Sequence, residues 1–322
     1  MHQQNMADII KSFYLSAKKS GMLRALVLAP FYFVRFAWFA LRERSLLLYR
    51  YYPGYHGSTL PSLKAVSSNR RKIFAADVSH PDGVDLNVNN QLSLLRSFSE
   101  YYAEYQPGKH ESPDKLYYYS NDMYGFNDGF ILYSFIRHFR PGRIVEVGSG
   151  YSSGLMIDTC EKFLPETGLT FIDPYSTTIA EILKKRPGKQ FNLLRTQLQD
   201  VPLQTFTGLN TGDILFIDTS HVVKIGSDLT VLFFSILPCL NPGVIVHIHD
   251  IWWPWEYPEV MVKEGRVYNE IYFVRSFLQY NKSFEILFFN SFLEKNYRNL
   301  VGEQLPGYRS GGGQSLWIRK IA

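Results

Sequence analysis

A glycine-rich turn between an apolar run and a helix-like stretch constrains this chain more than any other feature. Residues 143–153 read RIVEVGSGYSS. Ile144, Val145 and Val147 have the β-branched, near-continuous apolar character of a strand covered on both faces of a parallel sheet. Glu146 interrupts that run at its carboxyl end. Gly148 and Gly150 lack a Cβ, so the backbone can turn sharply and approach a ligand closely, while Ser152 or Ser153 can cap the helix that follows. Open α/β sheets bind ligands at this edge, so the turn is the expected seat of a nucleotide-like cofactor.

The chain beyond the turn alternates strand and helix, the signature of parallel βαβ units. Strands are predicted at 169–172, 191–194, 214–217 and 243–248, and helices at 152–164, 177–185, 226–237 and 267–280. The tail differs: 284–289 and 315–319 read as two strands with no room for a helical crossover, which predicts antiparallel pairing. Upstream, 53–125 is punctuated by Pro, Gly, Ser and Asn and reads as a connecting or lid region with one helix near 92–105. A second helix, at 127–139, leads into the first strand, preceded by a tyrosine-rich stretch that includes Tyr118 and Tyr124.

Charge is unevenly placed. Of the chain's net +5, residues 1–50 carry +6, from eight Lys/Arg against Asp8 and Glu43, which leaves −1 for the rest. A nearly neutral body argues against a nucleic-acid-binding face. The arm over 6–52 contains an apolar run at 22–41 whose length suits a membrane span, but Arg24, Pro30 and Arg35 interrupt it. Three readings stay open for it: a helix packed on the body or on a second subunit in a homo-oligomer, a peripheral helix in the membrane interface with Phe31, Val34, Trp38 and Leu41 inward, or a true span. With only Cys160 and Cys239 in 322 residues, a disulfide framework is not expected and a cytoplasmic setting fits.

The carboxyl ends of the predicted strands gather polar residues. Asp173 ends the second strand, where a carboxylate can accept both hydroxyls of a cofactor ribose. Asp218 and His221 follow the fourth strand, and His249 and Asp250 the fifth. Neighbouring parallel strands lie about 4.8 Å apart, so the two pairs can converge in one cleft. Such a donor set suits a divalent cation, with hard oxygen ligands favouring Mg²⁺. His247, one step back inside its strand, reads as a core histidine. Trp252, Trp253 and Tyr257 crowd the next loop, where flat rings suit a sugar face or plain packing.

Glu146 two residues before Gly148-x-Gly150 resembles the E/D-x-G-x-G motif of class I S-adenosylmethionine (SAM) methyltransferases. A dinucleotide fingerprint would want a third glycine where Ser153 stands. Over 117–320 the phrases EVGSGYSS, FIDTSH, PGVIVHIHDI, EYP and NEIYFVRSFL resemble the metal-dependent O-methyltransferases of the Methyltransferase-24 type, which are similar to macrocin-type sugar O-methyltransferases. The resemblance implies a Rossmann-like sheet of five parallel strands closed by an antiparallel hairpin. It implies that Glu146, Gly148, Gly150 and Ser152 hold the methionine end of SAM, Asp173 the ribose, and Gln199 and Asp200 the adenine. It also implies that Asp218, His249 and Asp250 hold a metal and that His221 takes the proton of a sugar or glycoconjugate hydroxyl, with Tyr118, Tyr124, Trp252, Trp253 and Tyr257 toward the substrate. His249 departs from the pattern, since an acid is usual there. Two other readings stay open: an NAD-linked or hydroxylase-like enzyme on the same scaffold, and an inactive scaffold docked to a membrane or partner through the arm.

Overall fold

The computed structural model describes residues 54–74, 83–186, 191–308 and 313–322, preceded by helical residues 29–31, 33–34 and 37–38. The chain divides into two compact units, Met1–Ile73 and Phe74–Ala322. The expected connecting region is thereby shared between them. In the first unit, short helices span Leu63–Ser68 and Arg70–Ile73, and Ser62 caps the former by accepting from the amide of Ala65. Most of the 6–52 arm lies outside the described residues.

The second unit is built on one seven-stranded sheet. Its strands are β1 (Arg143–Val147), β2 (Gly168–Ile172), β3 (Asn192–Leu194), β4 (Ile214–Ile217), β5 (Ile245–Ile248), β6 (Phe284–Phe289) and β7 (Leu316–Lys320), in the order β3-β2-β1-β4-β5-β7-β6. The first five are parallel, and β7 runs antiparallel to both β5 and β6. This is the expected mixed α/β sheet. The order reverses between β1 and β4, the switch point where ligands enter such sheets.

Helices α1 (Val88–Ser99), α2 (Phe126–Phe139), α3 (Tyr151–Phe163), α4 (Thr177–Lys184) and α5 (Glu270–Leu278) flank the sheet. Asn127 through Ile136 of α2 are buried without interruption, so protein encloses this stretch on every side, its polar Asn127, Asp128 and Ser134 included. Phe135 stacks flat on Trp317 of β7 with centroids 3.8 Å apart, a contact worth about 0.5–1.5 kcal/mol beyond the area it hides.

Two expectations need correction. The segment between β6 and β7 has room for two helices, α6 (Asn290–Asn296) and α7 (Arg298–Gln304), so the strands pair antiparallel without a tight hairpin turn. The helix expected over 226–237 starts at Asp228 and passes through a π-helical turn over Leu232–Ile236 before ending at Cys239. Pro238 has no amide hydrogen to donate, which loosens that last stretch.

Candidate active site

Register sets the site. Ile172, Val147, Ile217 and Ile248 form one row across β2, β1, β4 and β5. The next residue on each strand is therefore Asp173, Gly148, Asp218 and His249, side by side at the carboxyl edge. The ladder continues through them: Gly148 donates to the Ile172 carbonyl, Asp218 to Val147 and His249 to Ile217, at 2.9, 2.9 and 3.0 Å. Regular backbone bonding thus delivers polar side chains to one rim from strands that are otherwise apolar.

The glycine turn is held from several sides. Gly148 has φ +82°, and a Cβ added there would lie 1.7 Å from the carbonyl oxygen of Asp218. Only glycine permits so close an approach of β1 to β4. A Cβ on Gly150, by contrast, would meet nothing within 4 Å, so the turn faces open space. Asp173 accepts from the amide of Ser149 at 3.1 Å through one oxygen and from Tyr175 and Ser176 at 2.7 and 2.8 Å through the other, which ties the turn to the end of β2.

Glu146 is fully buried and accepts from Ser152 Oγ at 2.5 Å and from Ser153 Oγ. Burial pushes its pKa up to about 8, against the pull of the two hydroxyls. Neither serine is the N-cap. Both lie in the first turn of α3, where Ser153 Oγ accepts from the Gly150 amide at 3.0 Å. Glu146 thus braces the turn through both serines of α3, while Gly150 borders open space. Open space at Gly150, a rigid turn and a carboxylate at the β2 end form a cradle that fits a SAM-like cofactor. Gln199 and Asp200 lie exposed on a 3₁₀ turn, with Gln199 Nε2 donating to the Gly226 carbonyl at 2.7 Å.

Asp218, His221, His249 and Asp250 do converge. His221 Nε2 lies 3.3 Å from Asp218 Oδ1 and 3.4 Å from Asp250 Oδ2, and His249 Nδ1 lies 3.4 Å from Asp250 Oδ1 and 3.9 Å from Asp218 Oδ1. The four side chains form a ring of alternating carboxylate and imidazole. His221 and Asp250 hold left-handed backbone conformations, φ +57° and +58°, of the strained kind that clusters at functional sites.

Two charged members of the site were not foreseen. Glu270, on the first turn of α5, is buried and places Oε2 2.8 Å from His221 Nδ1. The amides of Asn269 and Glu270 both reach the His221 carbonyl at 3.2 Å, so the helix start clamps the loop. Asp128, buried in α2, sits 3.9 Å from His249 Nε2 and is anchored by the Gln314 amide at 3.0 Å and Asn290 Nδ2 at 2.8 Å. A Glu at the start of one helix and an Asp inside another carry no motif. Only tertiary packing shows that they belong here.

The charges follow from this packing. Burial alone lowers the pKa of His221, but hydrogen bonds to Asp218 and Glu270, with their charges, outweigh it and hold the imidazole well above its usual value. His249 is raised to about 9, because Asp218, Asp250 and Asp128 overcome its burial. Asp218 falls to about 2 despite burial, drawn down chiefly by the two imidazoles. His249 stands at the position of the usual acid, so a basic ring sits between Asp218 and Asp250, and among the described residues no group of three or more His, Cys, Asp or Glu side chains is arranged to hold an ion.

The expected substrate rings divide. Tyr124 is buried behind His249, its ring 5.3 Å away and its hydroxyl donating to the Asp128 carbonyl at 3.2 Å. Trp253 packs on Phe292 and Phe289, and buried Tyr257 accepts the Ile271 amide at 3.0 Å. These three brace the site from within because their apolar area is worth more in the core. Tyr118, bonded to the Tyr151 hydroxyl at 3.1 Å, and Trp252 stay partly exposed. Tyr268, not foreseen, lies over His221 at 4.9 Å. His247 is a core residue, stacked on Phe216 at 3.7 Å, with burial driving its pKa well down.

A methyltransferase-domain family model, Methyltransf_24, matches residues 145–251. An uncharacterized protein of Archaeoglobus fulgidus is 32% identical over 163 residues, covering 49% of this chain and 72% of that protein. Among solved structures, the Podospora anserina methyltransferase PaMTH1 bound to S-adenosylhomocysteine (SAH) is similar at 18% identity and TM-score 0.41, covering 83% of this chain and all 100% of that one. The O-methyltransferase TomG of Streptomyces achromogenes, in complex with SAM, is similar at 15% identity and TM-score 0.39 over 71% of this chain and 90% of that one. The chain belongs to the Methyltransf_24 family of methyltransferase domains.

Proposed function

We propose that this protein transfers a methyl group from SAM to a hydroxyl, of a sugar or glycoconjugate, with His221 as the general base. The observation that carries this reading is the orientation of His221. Glu270, accepting from Nδ1, orients the ring so that Nε2 points toward Asp218 and Asp250, 3.3 and 3.4 Å away. An imidazole so oriented is the common device for drawing a proton from a reacting hydroxyl.

The backbone of 148–150 and the carboxylate of Asp173 are the groups that would hold SAM. When bound, SAM supplies an electrophilic methyl on a sulfonium. The rest is the work of this chain. As the methyl passed to the acceptor oxygen its bond to sulfur would break and SAH would leave as a neutral thioether; Nε2 of neutral His221 would take the hydroxyl proton, and Glu270 would stabilise the imidazolium. Asp218 and Asp250 then hold that imidazolium in place until the proton leaves to solvent. Tyr268, Trp252 and Tyr118 supply the partly exposed rings of the rim, a surface that suits the apolar face of a sugar.

The test is a screen of radiolabelled SAM against sugar and glycolipid acceptors, with His221→Ala in parallel. The reading expects turnover to fall by about 10²- to 10⁴-fold with SAH affinity retained. Unchanged turnover in the variant would overturn the base assignment.

A further inference from the structure

Helical residues of the first unit expose large apolar side chains: Phe33 is 70% exposed, Val34 64%, Trp38 61% and Phe31 60%. They fall within eight consecutive positions, and the surrounding sequence is strongly basic. Lys11, Lys18, Lys19, Arg24, Arg35, Arg42, Arg44 and Arg50 face only Asp8 and Glu43 over the first fifty residues. We propose that this segment docks on the surface of an anionic lipid bilayer, lying in the interface with Phe33 and Val34 among its apolar anchors. The proposal does not depend on the methyl-transfer reading.

Three observations favour a lipid surface over other occupants. Exposed phenylalanines and a tryptophan within one turn or two are the residue types that partition into the headgroup boundary. The cores of protein interfaces are depleted of charge, whereas here arginines are interleaved with and flank the apolar residues. Long basic side chains can bury their stems beside the apolar anchors and keep their heads among lipid phosphates. The opposite sign of the two parts of the chain, +6 in the arm against −1 in the rest, directs this attraction to the arm alone. Arg24, Pro30 and Arg35 interrupt the apolar run at 22–41, so the contact proposed is peripheral.

The test uses the full chain in flotation with vesicles of phosphatidylcholine, with and without phosphatidylglycerol. The wild type should float with the anionic vesicles on the order of tenfold more strongly than with the neutral ones, and less so as NaCl rises from about 0.1 M to about 0.5 M. Phe33→Ser combined with Val34→Ser should lower binding to anionic vesicles roughly tenfold while leaving SAH affinity unchanged. Lys18→Gln combined with Lys19→Gln, which leaves the apolar residues intact, should weaken only the anionic preference. Equal flotation with both vesicle types, or equal flotation of wild type and the Phe33/Val34 variant, would overturn the proposal. So would a lipid-free dimer that the Phe33/Val34 variant dissociates, since the face would then belong to a second copy. Loss of SAH affinity would speak to the fold of the enzyme unit and leaves the vesicle comparison of the lysine variant to decide.

Discussion

Glu270 Oε2 stands 2.8 Å from Nδ1 of His221, and both side chains are buried. The carboxylate holds the ring at one nitrogen and so directs the other toward Asp218, Asp250 and the cleft. This pair converts an ordinary imidazole into an oriented, strongly basic one. Replacing Glu270 by Gln removes the charge and keeps the shape. The imidazole pKa should then fall, so the acid limb of the kcat profile should move to lower pH. Its plateau should drop about ten- to a hundredfold through poorer orientation, while the KM for SAM stays put. A profile with an unmoved limb would make Glu270 a structural residue only.

In the wild type the same charges keep His221 protonated well above its usual range. A base must be neutral to act, so turnover should still be climbing as pH rises above the ordinary imidazole value of about 6.5. Initial rates across that range check this. A plateau already reached near pH 6.5 would mean that His221 is not the titrating base.

Divalent cations should be dispensable. His249, held protonated beside Asp218 and Asp250 at 3.9 and 3.4 Å, already places a positive charge between the two carboxylates. Treatment with EDTA should change neither SAH affinity nor turnover by more than about twofold, the scatter expected when no Lewis acid takes part. A collapse in EDTA that Mg²⁺ or Mn²⁺ reverses would contradict the arrangement.

Gly148→Ala should be severe. The added methyl would lie 1.7 Å from the Asp218 carbonyl oxygen on a backbone with φ +82°. The collision is with backbone, which cannot swing aside as a side chain would. A loss of at least about 2–3 kcal/mol of stability is expected, together with loss of SAH binding. Gly150→Ala, in open space, should be tolerated by the fold. Chemical denaturation of both variants makes the comparison.

Stability should fall as pH rises from about 6.5 to 9. The charged form of His249 is favoured on folding, so its contribution is complete below 6.5, the ordinary value, and is lost as pH climbs through about 9. Glu146 acts in the same direction. Folding favours its neutral form, and that contribution, complete below 4.5, is lost as pH climbs to about 8. A melting temperature that stays level or rises between these limits would show that one or both groups are solvated in the folded protein.

Much of this was legible before any coordinates. The β-branched runs gave β1, β2, β4 and β5 to within two residues, because strands buried on both faces have a composition that little else shares. Asp173, Asp218, His249 and Asp250 stood out as polar residues just past apolar runs, and parallel register then makes them neighbours. What sequence could not supply was contact across the fold. Glu270 reaches His221 and Asp128 reaches His249 only after α5 and α2 dock, and neither residue has a local signature. The aromatic loop misled for a related reason. Trp252, Trp253 and Tyr257 are chemically alike along the chain, and which ring turns inward is decided by β6, α5 and α6, far away in sequence. The 290–315 connection misled on length alone, since two short helices fit where a crossover had been thought too long.

The most direct test of the central claim is calorimetric titration of the purified protein with SAH, in EDTA and again with Mg²⁺. The account predicts saturable one-to-one binding of equal strength in both buffers, abolished by Gly148→Ala and retained by His221→Ala. Absence of binding in both buffers would contradict it, because the turn at 148–150 would then not be a SAM site.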